Sequence, residues 1–176
     1  KYPEDLKYWH SLLPIKSIFE IDGYVIEVER KDNVFLTRSY LNNNILNHLI
    51  MRASIHLCPS LMEGWGHIIN QGRMAGSIVI TTDSPPMNEL IQNGKNGITI
   101  PIDQKKSYKM EMLNPIYKKY YVYPIKNMPI YLIDKYSMMS AVRYAITLSS
   151  EKREQLGKNA FKSYLEDTKF FIEKIV

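Results

Sequence analysis

Short apolar runs and stretches with apolar residues at helical spacing follow one another along this chain. In its first part residues 6–13 suggest a short helix stopped by Pro14, and Tyr24-Val25-Ile26-Glu27-Val28-Glu29 alternates as a half-buried strand does. Residues 33–37 (NVFLT) form an apolar run of strand type. Leu41, Ile45, Leu46, Leu49 and Ile50 then recur at helical spacing, with Asn42, Asn43 and Asn44 offering caps. Residues 54–58 (SIHLC) predict another strand, broken by Pro59 and Ser60, and a loop leads to a helix over 67–75 that Gly76 ends. Residues 77–82 (SIVITT) predict a β-branched buried strand, 87–91 a short helix, and 97–102 (GITIPI) a last strand after the Asn93-Gly94 turn.

Most of these strands are apolar throughout and take turns with helices. That pattern predicts an α/β fold, a parallel sheet covered on both faces that forms half of a doubly wound arrangement. Two C-terminal helices complete it. Met138, Val142, Ala145 and Ile146 share a face of the first, and Leu156, Ala160, Phe161, Tyr164 and Leu165 share a face of the second; Ser149 or Ser150, followed by Glu151, caps the join. A single domain over 1–176 is expected, with 1–32 its least defined part, 103–136 an insertion and 137–176 the C-terminal helices.

Composition narrows the class. With 176 residues, 45% of them hydrophobic and 23% charged, the chain can bury a sizeable core without staples. One cysteine, Cys58, rules out an internal disulfide framework, and four scattered histidines give no metal-ligand spacing. No apolar run approaches the roughly 18 residues of a membrane span. The net charge of +5 is concentrated in residues 104–136, where seven lysines face Glu111 and Asp134, so the remainder of the chain is neutral. Seven tyrosines (108, 117, 120, 121, 123, 131 and 136) interleave with those lysines. Such a segment could stack and neutralise single-stranded nucleic acid or meet an anionic membrane. The simpler expectation is a long hairpin or loop whose tyrosines pack and whose lysines stay solvated; nucleic acid ranks last because no nucleic-acid-binding motif accompanies the charge. The chain starts at Lys1, which initiator removal does not normally uncover, and part of a longer product is expected.

The chemistry concentrates in residues 58–102. In an open parallel sheet, ligands sit beyond the carboxyl ends of the strands, and the loop after SIHLC lies at such an end. It carries Glu63-Gly64-Trp65-Gly66. Its glycines let a ligand approach the main chain, and free N–H groups at the start of the next helix can bind an anion such as a diphosphate. His67 and Gln71 share one helical face, so a carboxylate before the helix and an amide one turn inside it could bracket a polyhydroxylated, phosphorylated ligand.

The order Pro-Ser, Glu-Gly-Trp-Gly-His, a polar residue eight positions after the glutamate, Met-Ala-Gly, a strand, Asp, then Asn-Glu-Leu-Ile and Gly-x-x-Gly resembles the C-terminal, donor-binding domain of GT-B retaining glycosyltransferases. The resemblance covers residues 33–102 well and the terminal helices loosely. It implies a Rossmann-like domain, the C-terminal half of a two-domain enzyme. It also implies a UDP- or GDP-sugar as donor substrate, no cofactor or divalent metal, and an N-terminal acceptor domain outside these residues. Glu63 corresponds to the first acid of the family's Glu-x7-Glu motif, close to the donor sugar. The backbone of Gly64, Trp65, Gly66 and His67 would contact sugar and diphosphate. The second acid, which holds the ribose hydroxyls, falls at Gln71, and here the chain departs from the pattern. A carboxamide offers one acceptor and one donor where a carboxylate accepts twice, a change worth on the order of 1–3 kcal/mol, or ten- to a hundred-fold in donor affinity. The family's arginine and lysine that pair with the diphosphate have no counterpart in residues 1–32; Arg38 or Lys16 could substitute.

The reading is therefore a glycosyltransferase domain for metal-independent, retaining transfer, inactive as an isolated fragment, cytoplasmic and able to lie at a membrane surface. The alternative is a non-catalytic nucleotide-sugar or glycan-binding homologue, favoured by Gln71. A third is a basic membrane-surface or nucleic-acid-binding protein acting through residues 105–136. Simpler roles exist for each residue. Glu63 could be a loop acid or a helix N-terminal charge, His67 a helix-start residue and Gln71 an exposed helix residue. Glu89 reads better as a cap or loop brace than as a ligand contact, Cys58 as a small buried hydrophobe, and Met138 and Met139 as core packing.

Overall fold

The computed structural model describes residues 15–37, 40–102, 108–109 and 129–175. The helix expected over 6–13, Arg38 and most of the basic segment lie outside these residues. The chain packs as two compact units, Lys1–His48 and Leu49–Val176.

The first unit is an antiparallel meander of β1 (Ile15–Ile21), β2 (Tyr24–Lys31) and β3 (Val34–Leu36). Ile21 pairs with Tyr24 across a two-residue Asp22-Gly23 turn, both residues having positive φ (47° and 80°), the hairpin geometry that matches strand twist. Burial alternates along β2: Ile26 and Val28 are inside while Val25 and Glu27 face out. β3 therefore corrects one expectation. The apolar run at 33–37 does form a strand, but it pairs antiparallel with β2 and takes no place in the parallel sheet. Lys16 lies on β1 opposite Glu29 in register.

α1 (Asn43–Arg52) follows, and Asn42 caps it as expected, its Oδ1 accepting from the Ile45 N–H at 3.0 Å. The second unit then builds a parallel three-stranded sheet in the order β4 (Ile55–Cys58), β5 (Ile78–Thr82), β6 (Ile98–Ile100). Every residue of β5 and β6 is buried, as in a sheet covered on both faces. Alternation sorts them. Ile78, Ile80, Ile98 and Ile100 pack with Ala141, Ala145 and Leu156 of α4 (Lys135–Thr147) and α5 (Ser150–Ile175). On the opposite face Val79 packs with Cys58 of β4, Ile69 of α2 (His67–Met74), Met87 of α3 (Met87–Leu90) and Ile91 just past its end. The expected α/β architecture, a Rossmann-like parallel sheet with C-terminal helices, is thus present.

Gly76 ends α2 as its position predicts. Its φ is +65°, its N–H donates to the Arg73 carbonyl at 3.0 Å, and Ser77 N–H donates to the Gly72 carbonyl at 3.1 Å, so two last-turn carbonyls are satisfied. Ser149 caps α5, accepting from Lys152 N–H at 3.3 Å. Some helix positions need correction. Ile146, Met139, Phe161 and Leu165 are exposed. The buried stripe of α4 runs through Ala141 and Ala145, and that of α5 through Leu156 and Ala160; at about 100° per residue the exposed residues fall about 100° or more away around the helix. Met138 does pack on the core.

Of the 103–136 insertion, β7 (Tyr108–Lys109) pairs antiparallel with β8 (Pro129–Ile130), and the residues between them lie outside those described. Tyr131 packs beside Cys58 and Ile69, whereas Tyr136 is exposed under the Lys135 ammonium.

Candidate functional site

The loop between β4 and α2 leaves the carboxyl end of the sheet, and β5 pins it. Thr81 Oγ1 donates to the Cys58 carbonyl at 2.9 Å and Thr82 Oγ1 to the Ser60 carbonyl at 2.6 Å. From the other side, Tyr131 N–H donates to the Leu61 carbonyl at 3.0 Å. Glu63 is held within the loop: Ser60 Oγ donates to its Oε1 at 2.8 Å and Gly66 N–H to its Oε2 at 3.2 Å. Its carboxylate thus lies near the end of β4. Burial first, and that carboxylate second, push the Cys58 thiol up to about 11. Cys58 is a protonated, buried side chain at neutral pH, as its sequence context suggested.

Gly66 starts α2 with φ +69° and ψ 41°, in the left-handed region that favours glycine. A Cβ there would also meet Leu90 Cδ1 at 2.5 Å. Gly64 is different. It has open space around it and no positive φ, so only one of the two motif glycines is demanded by the backbone. α2 begins with no side-chain cap. The N–H groups of its first turn are therefore available at the positive end of the helix. Asn70 Nδ2 closes the turn on the Trp65 carbonyl at 3.2 Å.

Gly64, Trp65, His67 and Gln71 line one cavity of about 750 Å³, between α2, α3 and the second half of α5. Four of the six expected site residues are thus brought together. Gly66 is buried beneath them, and Glu63 is turned into its loop. The side chains of His67 and Gln71 hydrogen-bond to no described residue. The same is true of Glu89, which the sequence suggested as a brace and which instead stands exposed on the cavity's rim.

The chain's pattern also hid residues that shape this site. Arg73 is 1% exposed, its guanidinium donating to Asn70 Oδ1 at 2.7 Å, to Ser163 Oγ at 3.1 Å and to the Asp167 carboxylate. Its Nε is unpartnered. This buried cation fastens α5 to α2. Asn96 reinforces it, donating to the Leu90 carbonyl and to Ser163 Oγ while accepting from Gln92 N–H. Farther along α5, the Phe171 ring meets Trp65 edge to face, centroids 5.4 Å apart. Among the described residues no three His, Cys, Asp or Glu side chains group as metal ligands, and no helix is long and apolar enough to cross a membrane.

No curated protein matches the chain. The family model of the glycosyl transferases group 1 matches residues 22–114, just over half of the chain, and this range holds β2 to β6 with the whole β4–α2 loop. The chain belongs to the group 1 glycosyl transferases.

Proposed function

We propose that the second unit holds a nucleotide-diphosphate sugar, UDP- or GDP-linked, at the β4–α2 loop for retaining, metal-independent glycosyl transfer. The observation that carries this is the uncapped start of α2 at the carboxyl end of β4. Free N–H groups and the helix dipole favour a diphosphate there, and can stabilise it as it leaves. The backbone of Gly64, Trp65, Gly66 and His67 would contact sugar and diphosphate. Gln71, one turn into α2 on the His67 face, would meet the ribose hydroxyls. Glu63, fixed by Ser60 and Gly66, would place negative charge near the anomeric carbon as positive charge develops there. The acceptor side of the cleft is assigned to another domain of the same protein, working in the cytoplasm or at a membrane surface.

Titration with UDP, GDP and their sugars, with and without EDTA, and donor hydrolysis followed in parallel, tests this. Binding that EDTA leaves unchanged supports it, and Gln71→Glu then tightens binding about ten-fold by restoring two charge-assisted acceptors. Silence of every nucleotide at millimolar concentration sinks it. A second reading, a non-catalytic homologue, is favoured by Gln71 at the position of an acid; binding with no hydrolysis in the full-length protein would select it.

A further inference from the structure

Along α2 the cavity has a direction. α5 runs antiparallel to α2: Arg73, near the end of α2, meets Ser163 and Asp167, whereas Trp65, before its start, meets Phe171. With the diphosphate at the start of α2 and the ribose at Gln71, one turn in, the rest of the nucleotide has a defined course. The ribose separates the phosphates from the base, so the base is carried on toward the end of α2. Met74, Tyr164 and Asp167 line the cavity there. Arg73 and its partner Asp167 lie about two helical turns beyond Gly66, which keeps this carboxylate away from the phosphates.

The polar groups at that end differ in the hydrogen bonds they have left to make. The Arg73 guanidinium donates to Asn70, Ser163 and Asp167, and the Asn70 amide is engaged on both sides, donating to the Trp65 carbonyl and accepting from Arg73. Thr168 turns its hydroxyl proton to the Tyr164 carbonyl of its own helix, at 2.8 Å. Asp167 is different. Its side chain is 61% exposed, and among the described residues its one partner is Arg73, which meets Oδ2. An ionised carboxylate has about four acceptor sites, so most of its capacity remains. The buried Arg73, held also by Asn70 and Ser163, fixes where that carboxylate stands.

Such a group separates the bases. A carboxylate only accepts, and it binds most strongly where two parallel N–H groups meet its two oxygens. Guanine presents that pair, N1–H beside the N2 amino group. Uracil presents one N–H between two carbonyl oxygens, which a carboxylate repels, and adenine and cytosine set a ring acceptor beside their amino group. Tyr164 and Met74 add apolar surface for a purine ring.

We propose that Asp167, set in place by Arg73, reads the N1–H and N2 amino edge of guanine, which makes the donor a GDP-sugar. This rests on the donor reading above, which leaves UDP and GDP open. The test is calorimetric titration of the chain with GDP, UDP, inosine diphosphate, which lacks the N2 amino group, and xanthosine diphosphate, which carries a carbonyl in its place. GDP should bind about ten-fold more tightly than UDP or inosine diphosphate. Asp167→Asn, whose amide donates as well as accepts, should reverse the order of GDP and xanthosine diphosphate, a gain that loss of structure cannot imitate.

If Asp167→Asn does not fold, the wild-type comparison of GDP with inosine diphosphate decides alone. Equal binding of GDP and inosine diphosphate, or UDP binding as tightly as GDP, overturns the role of Asp167 and leaves the donor site standing. A folded Asp167→Asn chain that still prefers GDP to xanthosine diphosphate does the same. Silence of all four nucleotides at millimolar concentration removes the donor site and the base contact together.

Discussion

The two sheets are built on opposite plans. In the antiparallel sheet burial alternates, so Ile26 and Val28 are inside while Ile18, Val25 and Val34 face solvent. In the parallel sheet β5 and β6 are buried from end to end, with helices on both faces. The difference bears on chemistry. Strands of the first sheet end in two-residue turns, which leave no room for a site. In the second, β4 and β5 end in loops that lead to helices, and side chains of the neighbouring strand, Thr81 and Thr82, can tether the loop after β4. Burial on both faces thus supplies a fixed ledge at the carboxyl end of the sheet, and the proposed ligand site rests on it.

That contrast can be broken most forcefully at Gly157, where α5 crosses the end of α2. A Cβ there would overlap the Gly76 carbonyl oxygen, a backbone atom with no flexible side chain to yield. Gly157→Val should destabilise the chain by about 3 kcal/mol or more in thermal or urea unfolding, since α5 must leave α2. Next comes Asp167→Asn, which removes the charge partner of the buried Arg73. Asp167 itself is well exposed, so the loss should lie near the low end of the range for breaking a charge-assisted hydrogen bond, about 1–2 kcal/mol. Third, Gly23→Ala places a side chain at φ +80° in the β1–β2 turn with open space around it, and should cost about 1 kcal/mol by unfolding.

Near neutral pH the smallest effect on stability is expected from Cys58 ionisation, which reads the buried face directly. Its thiol pKa, raised from 9.0 to about 11, disfavours the thiolate in the folded state. The associated stabilisation is complete below the unfolded value near 9 and is lost as pH rises toward about 11. Cys58 should accordingly react with a disulfide reagent at pH 8 far more slowly in the folded than in the urea-unfolded chain. Equal rates would show that this face of the sheet is open.

Locality decides what the sequence could reveal. The β-branched run at β5, the Asn cap of α1 and Gly76 at the end of α2 are signals carried by neighbouring residues, and each element forms where its signal lies. The first sheet had such a signal too. Asp22-Gly23 between two strand-length segments is a hairpin mark. It accounts for β1, which the pattern of apolar runs alone does not reveal, and it makes β3 part of a meander. The four expected site residues that line the cavity, Gly64, Trp65, His67 and Gln71, were legible because their spacing follows one loop and one helical turn. Arg73 was not, because its burial depends on Asp167, 94 positions away. The same holds for Phe171, which reaches Trp65 only because α5 runs back along α2.

The central claim is that the start of α2, and not the antiparallel sheet, receives the diphosphate. Backbone amide shifts of the ¹⁵N-labelled chain during titration with UDP- and GDP-sugars test it most directly. The largest changes should fall on Gly66, His67 and Ile68, with β1 to β3 unmoved. Shifts that are largest within residues 15–36, or absent from 64–71 at saturating nucleotide sugar, would contradict it.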